Sequence, residues 1–561
     1  MKTTTIKIRN IYLTIAVVAL NVTTAFISLA QDTLRTDVVD VVKAFKPILS
    51  ESIKIQSNPN PEIPETQSPN FEYDVPEKRL NNNPTLYTIK PLSLGTSLLP
   101  KLKGNYTKLG YGNYNTPLFE TYFNTNRNKT LQAGLFLKHL SSNMNNDRTF
   151  SNNTVYAYGK RFLGKGILSS DIYFYRNRVN LFGVDREGTA ITENDIVNKF
   201  ETVDAKISYQ NILKDTSKTS VKLNGEFSRF FTTKVRDETE NNFNINGDFG
   251  KRINGNPFDV KLGVNLIGIT TPFMEYNRTF VDINPKYRLN MNDLYIHIGF
   301  NSTFAGDSGE TNFYFFPVAE AGYSLLPKNL TTYVGITGNL QRNTYRSIAT
   351  ENPFIRNIGN NFASNAFELY NTINNFELYG GFKGIISPQT SFVVNAALSN
   401  MQNMLFFIAD SSNLNSQRAY FDKGNSSVFN VRTELNHEFD ETFQFGFVMN
   451  YYRYSLTIAA PYSLPTFTTQ WNISYNMSNK ILWKAQIYTM NKRESAVLLS
   501  NGLNPITLKG LVDVNIGLDY RYTKNVSLFL NLNNIVNNQY QRWTYLPVYG
   551  FNLIGGLTVT F

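Results

Sequence analysis

Residues 511–561 read LVDVNIGLDYRYTKNVSLFLNLNNIVNNQYQRWTYLPVYGFNLIGGLTVTF. Three segments of this stretch put apolar side chains on every second residue. Val512, Val514, Ile516, Leu518 and Tyr520 alternate with Asp513, Asn515, Gly517, Asp519 and Arg521. Val526, Leu528, Leu530 and Leu532 alternate with Ser527, Asn531 and Asn533, and Phe551, Leu553, Leu557, Val559 and Phe561 with Asn552, Gly556, Thr558 and Thr560. A period of two is that of a strand with one apolar and one polar face. Two architectures satisfy it: a soluble sandwich with the apolar face inward, and a barrel with that face in lipid.

The amino end favours the second. Lys2, Lys7 and Arg9 precede an apolar run, Ile11 to Leu29, that closes on Ser28-Leu29-Ala30 before Gln31. This is the pattern of a secretory signal peptide over residues 1–30. The chain has no cysteine among its 561 residues, so neither disulfides nor an amino-terminal lipidated Cys are available to it. Beyond residue 30 no run approaches the roughly 18 apolar residues of a membrane helix, so a membrane crossing has to be made by strands. Aromatic residues make up 14% of the chain, which suits half-lipid, half-wet strands with Tyr and Trp at the interfaces. The formal charge of +11 suits anionic headgroups or solutes and equally suits scattered solvated lysines.

Residues 31–101 do not read as regular strands and form an amino-terminal extension or linker that could partly fill a lumen. Within it, Thr36–Lys46 (TDVVDVVKAFK) is a short segment able to add to a sheet edge or a partner, and the Asn/Pro/Glu-rich stretch from Ser57 to about Pro84 reads as extended linker. From residue 102 to 561, segments of about ten residues alternate in the same way, and about 22 of them can be counted (range 18–22). The expected fold is all-β: a transmembrane antiparallel barrel with an even number of strands. Working back from Phe561, long connections (535–551, 491–510, 456–467, 400–427, 341–374, 177–199) alternate with short ones (522–524, 477–480, 440–441, 387–390, 325–329, 163–165). Barrels keep short turns on the periplasmic side and long loops outside, which places both termini in the periplasm of a Gram-negative bacterium.

Parity also sorts the charges. Asp259, Lys261, Lys383, Arg432, Glu434, Lys484, Asp513, Asp519 and Arg521 fall on the polar side, as expected when a Lys or Arg at the lipid midplane costs about 2–4 kcal/mol. They are candidate lumen-lining residues, either selecting a solute or forming a structural ion-pair lattice. Tyr540, Trp543, Tyr545 and Tyr549 are candidate loop contacts.

VSLFLNLNNIVNNQYQRW (Val526–Trp543), with Asn533, Asn534, Ile535, Asn537 and Tyr540, resembles the penultimate strand and loop of TonB-dependent receptors. YTKLGYGNY (Tyr106–Tyr114), YGGFKGIISPQTSF (Tyr379–Phe392) and LPTFTTQWNISYNMSNKILW (Leu464–Trp483) look like strands of the same barrels. A closing aromatic, Phe561, resembles the carboxy-terminal signal read by the barrel-assembly machinery. The resemblance implies an outer-membrane protein that takes up or passes a solute, with a TonB-type transducer or a surface lipoprotein or other plugging subunit as partner; TDVVDVV looks like the transducer's contact strand. The departure is the plug: such receptors fold well over a hundred residues inside the barrel, and about seventy precede the first strand here. A wide lumen would then be filled by inward-folded loops, by residues 31–101 or by another polypeptide. The alternative is a non-transporting barrel subunit of an outer-membrane assembly or secretion complex.

The residues point away from catalysis and cofactors. His139, His297 and His437 lie on different strands, the first and last on the lipid or interface side and His297 on the lumen side, with no acidic or Cys cluster beside them, so no metal site is expected. There is no phosphate-binding glycine loop and no nucleophile elbow, and Gly110 and Gly112 read as strand glycines. The basic, aromatic loop 537–549 reads as interfacial girdle or ligand-gripping loop; no nucleic-acid partner is expected.

Overall fold

The computed structural model describes residues 104–561, apart from 126–127, 145–147, 181–196, 214, 216–217, 233–237, 272–274, 308, 327–328, 358–368, 411–415, 441 and 500–501. The signal peptide, the 31–101 extension and its Val-rich segment lie outside the described residues.

Twenty-two antiparallel strands form one closed barrel. Each pairs with the next in the chain, and the first, Tyr106–Gly112, pairs with the last, Asn552–Thr560, from Tyr106 opposite Thr560 to Gly112 opposite Ile554. Closure leaves no strand edge exposed, which a bilayer demands because lipid offers backbone groups no partner. The seam closes on glycines. A Cβ on Gly556 would stand 2.0 Å from the carbonyl oxygen of Leu109, and one on Gly112 would stand 2.2 Å from that of Leu553. Neither backbone atom can step aside as a flexible side chain would.

One parity of every strand faces out. Leu266, Ile298, Phe313, Phe315 and Val334 are exposed large apolar residues on it, Val334 at 65%. The other parity faces in and carries Asn, Tyr, Glu, Lys and Arg. Phe529 and Ile554 interrupt the alternation of the last two strands, and both turn inward to pack with Leu118 behind the seam. Lys108 places its ammonium 3.9 Å from the Phe529 ring centre. Among the described residues no helix is long and apolar enough to cross a membrane.

Two expectations about the connections are corrected. Alternation of long and short holds in the carboxy-terminal half; elsewhere the long-loop end also carries tight turns, such as Asn113–Asn115, with Tyr114 at φ 57° and Asn115 at φ 48°. Local backbone preference decides this, since residues that tolerate positive φ close a hairpin in two or three residues on either end. Within 400–427, residues 400–410 and 416–427 are strand and not irregular loop. Strands Thr390–Asp410 and Ser416–Glu438 run on beyond the barrel as one ladder, from Thr390 opposite His437 to Asp410 opposite Ser416. Met404, Phe406 and Ile408 are buried there, so this apolar stretch belongs to a packed hairpin. The loop 491–510 likewise contains a hairpin, Arg493–Leu499 with Gly502–Leu508, whose first strand runs parallel to the extended one at Ala409–Val497. The loop 535–551 holds a small ladder of Gln541–Trp543 with Leu546–Pro547.

Candidate functional site

The densest chemistry inside the barrel surrounds residues 342–357 and 369–371, the described parts of the connection between strands Leu330–Gln341 and Thr372–Ser387. The sequence QRNTYRSIATENP starts a helix locally: Thr344 caps Tyr345–Glu351 by accepting from the Ser347 amide, and the Ser347 hydroxyl accepts from the Thr344 amide. Side-chain oxygens thereby satisfy amides that a helix start leaves without partners. Tyr345, Ile348 and Ala349 are the buried face of this helix, and they meet Phe200, Phe230, Ile267, Ile269 and Phe280, all on the inward parity of four wall strands. The segment therefore folds into the lumen at its long-loop end.

Charges tie it to the wall. Arg346 donates to both oxygens of Asp204 at 2.7 Å and to the Ser228 hydroxyl at 2.5 Å. Arg342 reaches Asp282 at 2.5 Å and lies 4.5 Å from the Phe280 ring centre. Arg278, 1% exposed, donates to Asp307 at 2.7 and 3.0 Å, to the Asn343 carbonyl at 2.6 Å and to Asn371 at 2.5 Å. Glu240, 2% exposed, accepts from the Tyr345 and Arg346 amides at 2.6 and 3.3 Å, at the positive end of the helix. Asn198 donates to the carbonyls of Pro353 and Ile355. Buried ions are tolerated only when paired and hydrogen-bonded, as these are, and removing one partner from such a pair typically costs about 3–5 kcal/mol.

Other loops complete the mouth. Trp543, 7% exposed, lies 4.9 Å edge-on from Phe407, and Leu546 joins the same apolar cluster as the helix. Arg493 donates to the carbonyls of Gln541 and Arg542 at 2.6 and 2.9 Å, and burial lowers the pKa of its guanidinium. Tyr540 donates to Asp513 at 2.8 Å, and burial together with that carboxylate raises its pKa. Tyr549 donates to the Arg148 carbonyl at 2.6 Å beside Tyr114 and Phe150. Tyr545, at φ 65°, stays 37% exposed.

The nine sequence-selected charges do not converge on one site. Lys484 stands 3.4 Å from Asp519, and Arg432 stands 3.3 Å from Glu434. Lys383 lies over the Tyr295 and Tyr333 rings at 5.6 and 5.2 Å, and Arg521 donates to the Asn479 carbonyl. Lys261 is opposite Asp248, Asp259 is opposite Lys286, and Asp513 holds Tyr540. The Phe561 amide donates to the Asn105 carbonyl, and its ring meets Phe123 edge-on. His297 Nδ1 is 3.8 Å from one carboxylate, that of Glu320, because register places the two side by side on adjacent strands. Among the described residues no group of three His, Cys, Asp or Glu gathers as a metal site would require. Reasoning from alternation missed Asp204, Glu240, Arg278, Arg342 and Arg346. The signal for them was the capping sequence Thr344–Ser347, with Arg342 just before it and Arg346 within it, inside a connection read only as long.

Several solved outer-membrane barrels share this fold. The ferric-catecholate import receptor Fiu of E. coli K12 aligns over 82% of each chain at 11% identity with a TM-score of 0.62. The iron transporter FrpB of Neisseria meningitidis aligns over 82% of each chain at 10% identity and 0.65. The pyoverdine outer membrane receptor FpvA of Pseudomonas aeruginosa aligns over 82% of this chain and 78% of its own at 11% identity and 0.62. No family model matches the sequence, and no curated protein does. At such identities the likeness is one of fold, and it is to the barrels of the TonB-dependent receptor class that the sequence resembles.

Proposed function

We propose that this chain is a gated outer-membrane passage for a solute, without catalysis, in which the chain's own residues 342–357, with 369–371, occupy the position at the mouth that a separate plug would otherwise have to fill. The observation that carries the reading is the set of ion pairs joining that segment to the inward parity of the wall, Arg346 with Asp204 and Arg342 with Asp282. A polar lumen behind an inward segment held by discrete, breakable contacts suits two states, shut and open. Fold likeness to import receptors supports the direction of transport and a TonB-type transducer as partner; the resemblance of the Thr36–Lys46 sequence to a contact strand is what supports that segment as the place where it acts, from the periplasm where both termini would lie.

Planar-bilayer conductance tests the gate. The intact chain should be nearly silent, and a variant with residues 342–371 replaced by a short Gly/Ser linker should conduct steadily. A linker variant that inserts as a folded barrel and stays silent would contradict the reading. It would support the second one, a sealed structural subunit of an assembly or secretion complex, which the buried apolar cluster at the mouth also suits.

A further inference from the structure

The inner wall is not chemically uniform. On one side of the seam, strands 443–455, 467–477, 481–490, 511–521 and 526–533 turn amides inward: Gln444, Asn472, Gln486, Asn515, Asn531 and Asn533 line a cavity of about 630 Å³. Gly446 and Gly517 leave space between them, and the cation in the cavity, Lys484, stands 3.4 Å from Asp519. On the other side of the seam four of the first five strands, all but Leu131–Met144, turn partly exposed tyrosines inward. Tyr106 stacks with Tyr122 at 6.2 Å, Tyr156 with Tyr158 at 5.8 Å, and Tyr173 with Tyr175 at 6.2 Å. The hydroxyls hold the rings in place: Tyr106 donates to Glu120 at 2.7 Å, Tyr122 to Tyr158 at 2.9 Å, Tyr158 to Asn124 at 2.9 Å and Tyr156 to Asp171 at 2.8 Å. Because the first strand pairs with the last, the ring belt and the amide wall are one continuous surface.

The surface points to a ligand class. A carboxamide presents a donor and an acceptor side by side, which matches a hydroxyl that needs both. A fixed aromatic face suits the flat C–H side of a pyranose ring, and rings already held by hydrogen bonds lose little freedom on binding. Some of the charge on these strands is paired: Lys138 stands 3.2 Å from Glu120, and Lys484 neighbours Asp519. We infer that the ring belt and the amide wall together form a binding track for a neutral, polyhydroxylated solute of oligosaccharide class. The inference rests on the passage reading for its purpose but not for its test.

Equilibrium binding to the full chain in detergent, with maltohexaose as probe, requires no passage. Retention with a dissociation constant of about 1 mM or tighter is expected. Tyr158→Ala should weaken it about tenfold, Gln486→Met should weaken it by a similar factor, and Tyr158→Phe, which keeps the ring, should leave it within about twofold. Heat-modifiable migration on a gel confirms that each variant is a folded barrel. No retention of the saccharide would overturn the inference. So would tighter binding of a size-matched polyanionic saccharide or hexapeptide, or retention indifferent to Tyr158→Ala and Gln486→Met. Binding as expected together with a silent linker variant would sink the gate alone.

Discussion

Arg346 and Gly556 mark the two places where a single side chain decides most. Arg346→Ala leaves Asp204 buried and unpaired, and urea unfolding should show a loss of about 3–5 kcal/mol in that variant. The pair Arg346→Met with Asp204→Leu should lose much less, because both charges leave together. If the single and double variants unfold alike, Arg346 is not neutralising Asp204. At the seam, Gly556→Val drives a Cβ into the Leu109 carbonyl, 2.0 Å away. Overpacking against backbone should cost about 3 kcal/mol, seen as a lowered urea midpoint, and an unchanged midpoint would mean the first and last strands do not pair in this register. Parity in the sequence marked the polar side of these strands. It could not mark Asp204 or Glu240 as special, because their partners lie 142 and 105 residues further on, in a segment whose pattern is not that of a strand.

The loop hairpins are the elements whose roles alternation left open. A period of two tells which side of a strand is apolar but not whether the strand is in lipid or above it, so 400–427 reads in the sequence as a long connection and not as the hairpin that continues the two strands. Arg493, on the hairpin that continues it, ties the 541–542 backbone to the mouth. Arg493→Ala should loosen that contact by about 1–3 kcal/mol, the range for a buried carbonyl left without its donor. With Trp471→Phe and Trp483→Phe removing the two outward tryptophans, Trp543 becomes the sole reporter. Acrylamide should quench it poorly in the parent and readily after Arg493→Ala, whereas equal quenching would show that the hairpin does not hold the mouth shut.

At the scale of the whole molecule, the strand number, closure and lipid-facing side follow from composition repeated along 450 or so residues, each strand restating the same parity. That redundancy is why the fold was readable while the mouth, built once from unlike pieces, was not. Deleting Phe561 removes the last backbone donor of the seam and the ring against Phe123, and outer-membrane levels should fall severalfold on immunoblot; unchanged levels would separate seam closure from membrane assembly. The central claim is that the apolar parity is solvated by acyl chains. The chain has no cysteine, so single cysteines can be placed one at a time along strand Glu310–Leu326 and spin-labelled in liposomes. Collision with oxygen, which concentrates in the bilayer, should peak at 313 and 315 and dip at 314 and 316, with a water-soluble nickel chelate showing the opposite phase. Oxygen accessibility without a period of two, or nickel access highest at 313 and 315, would contradict a lipid-solvated barrel.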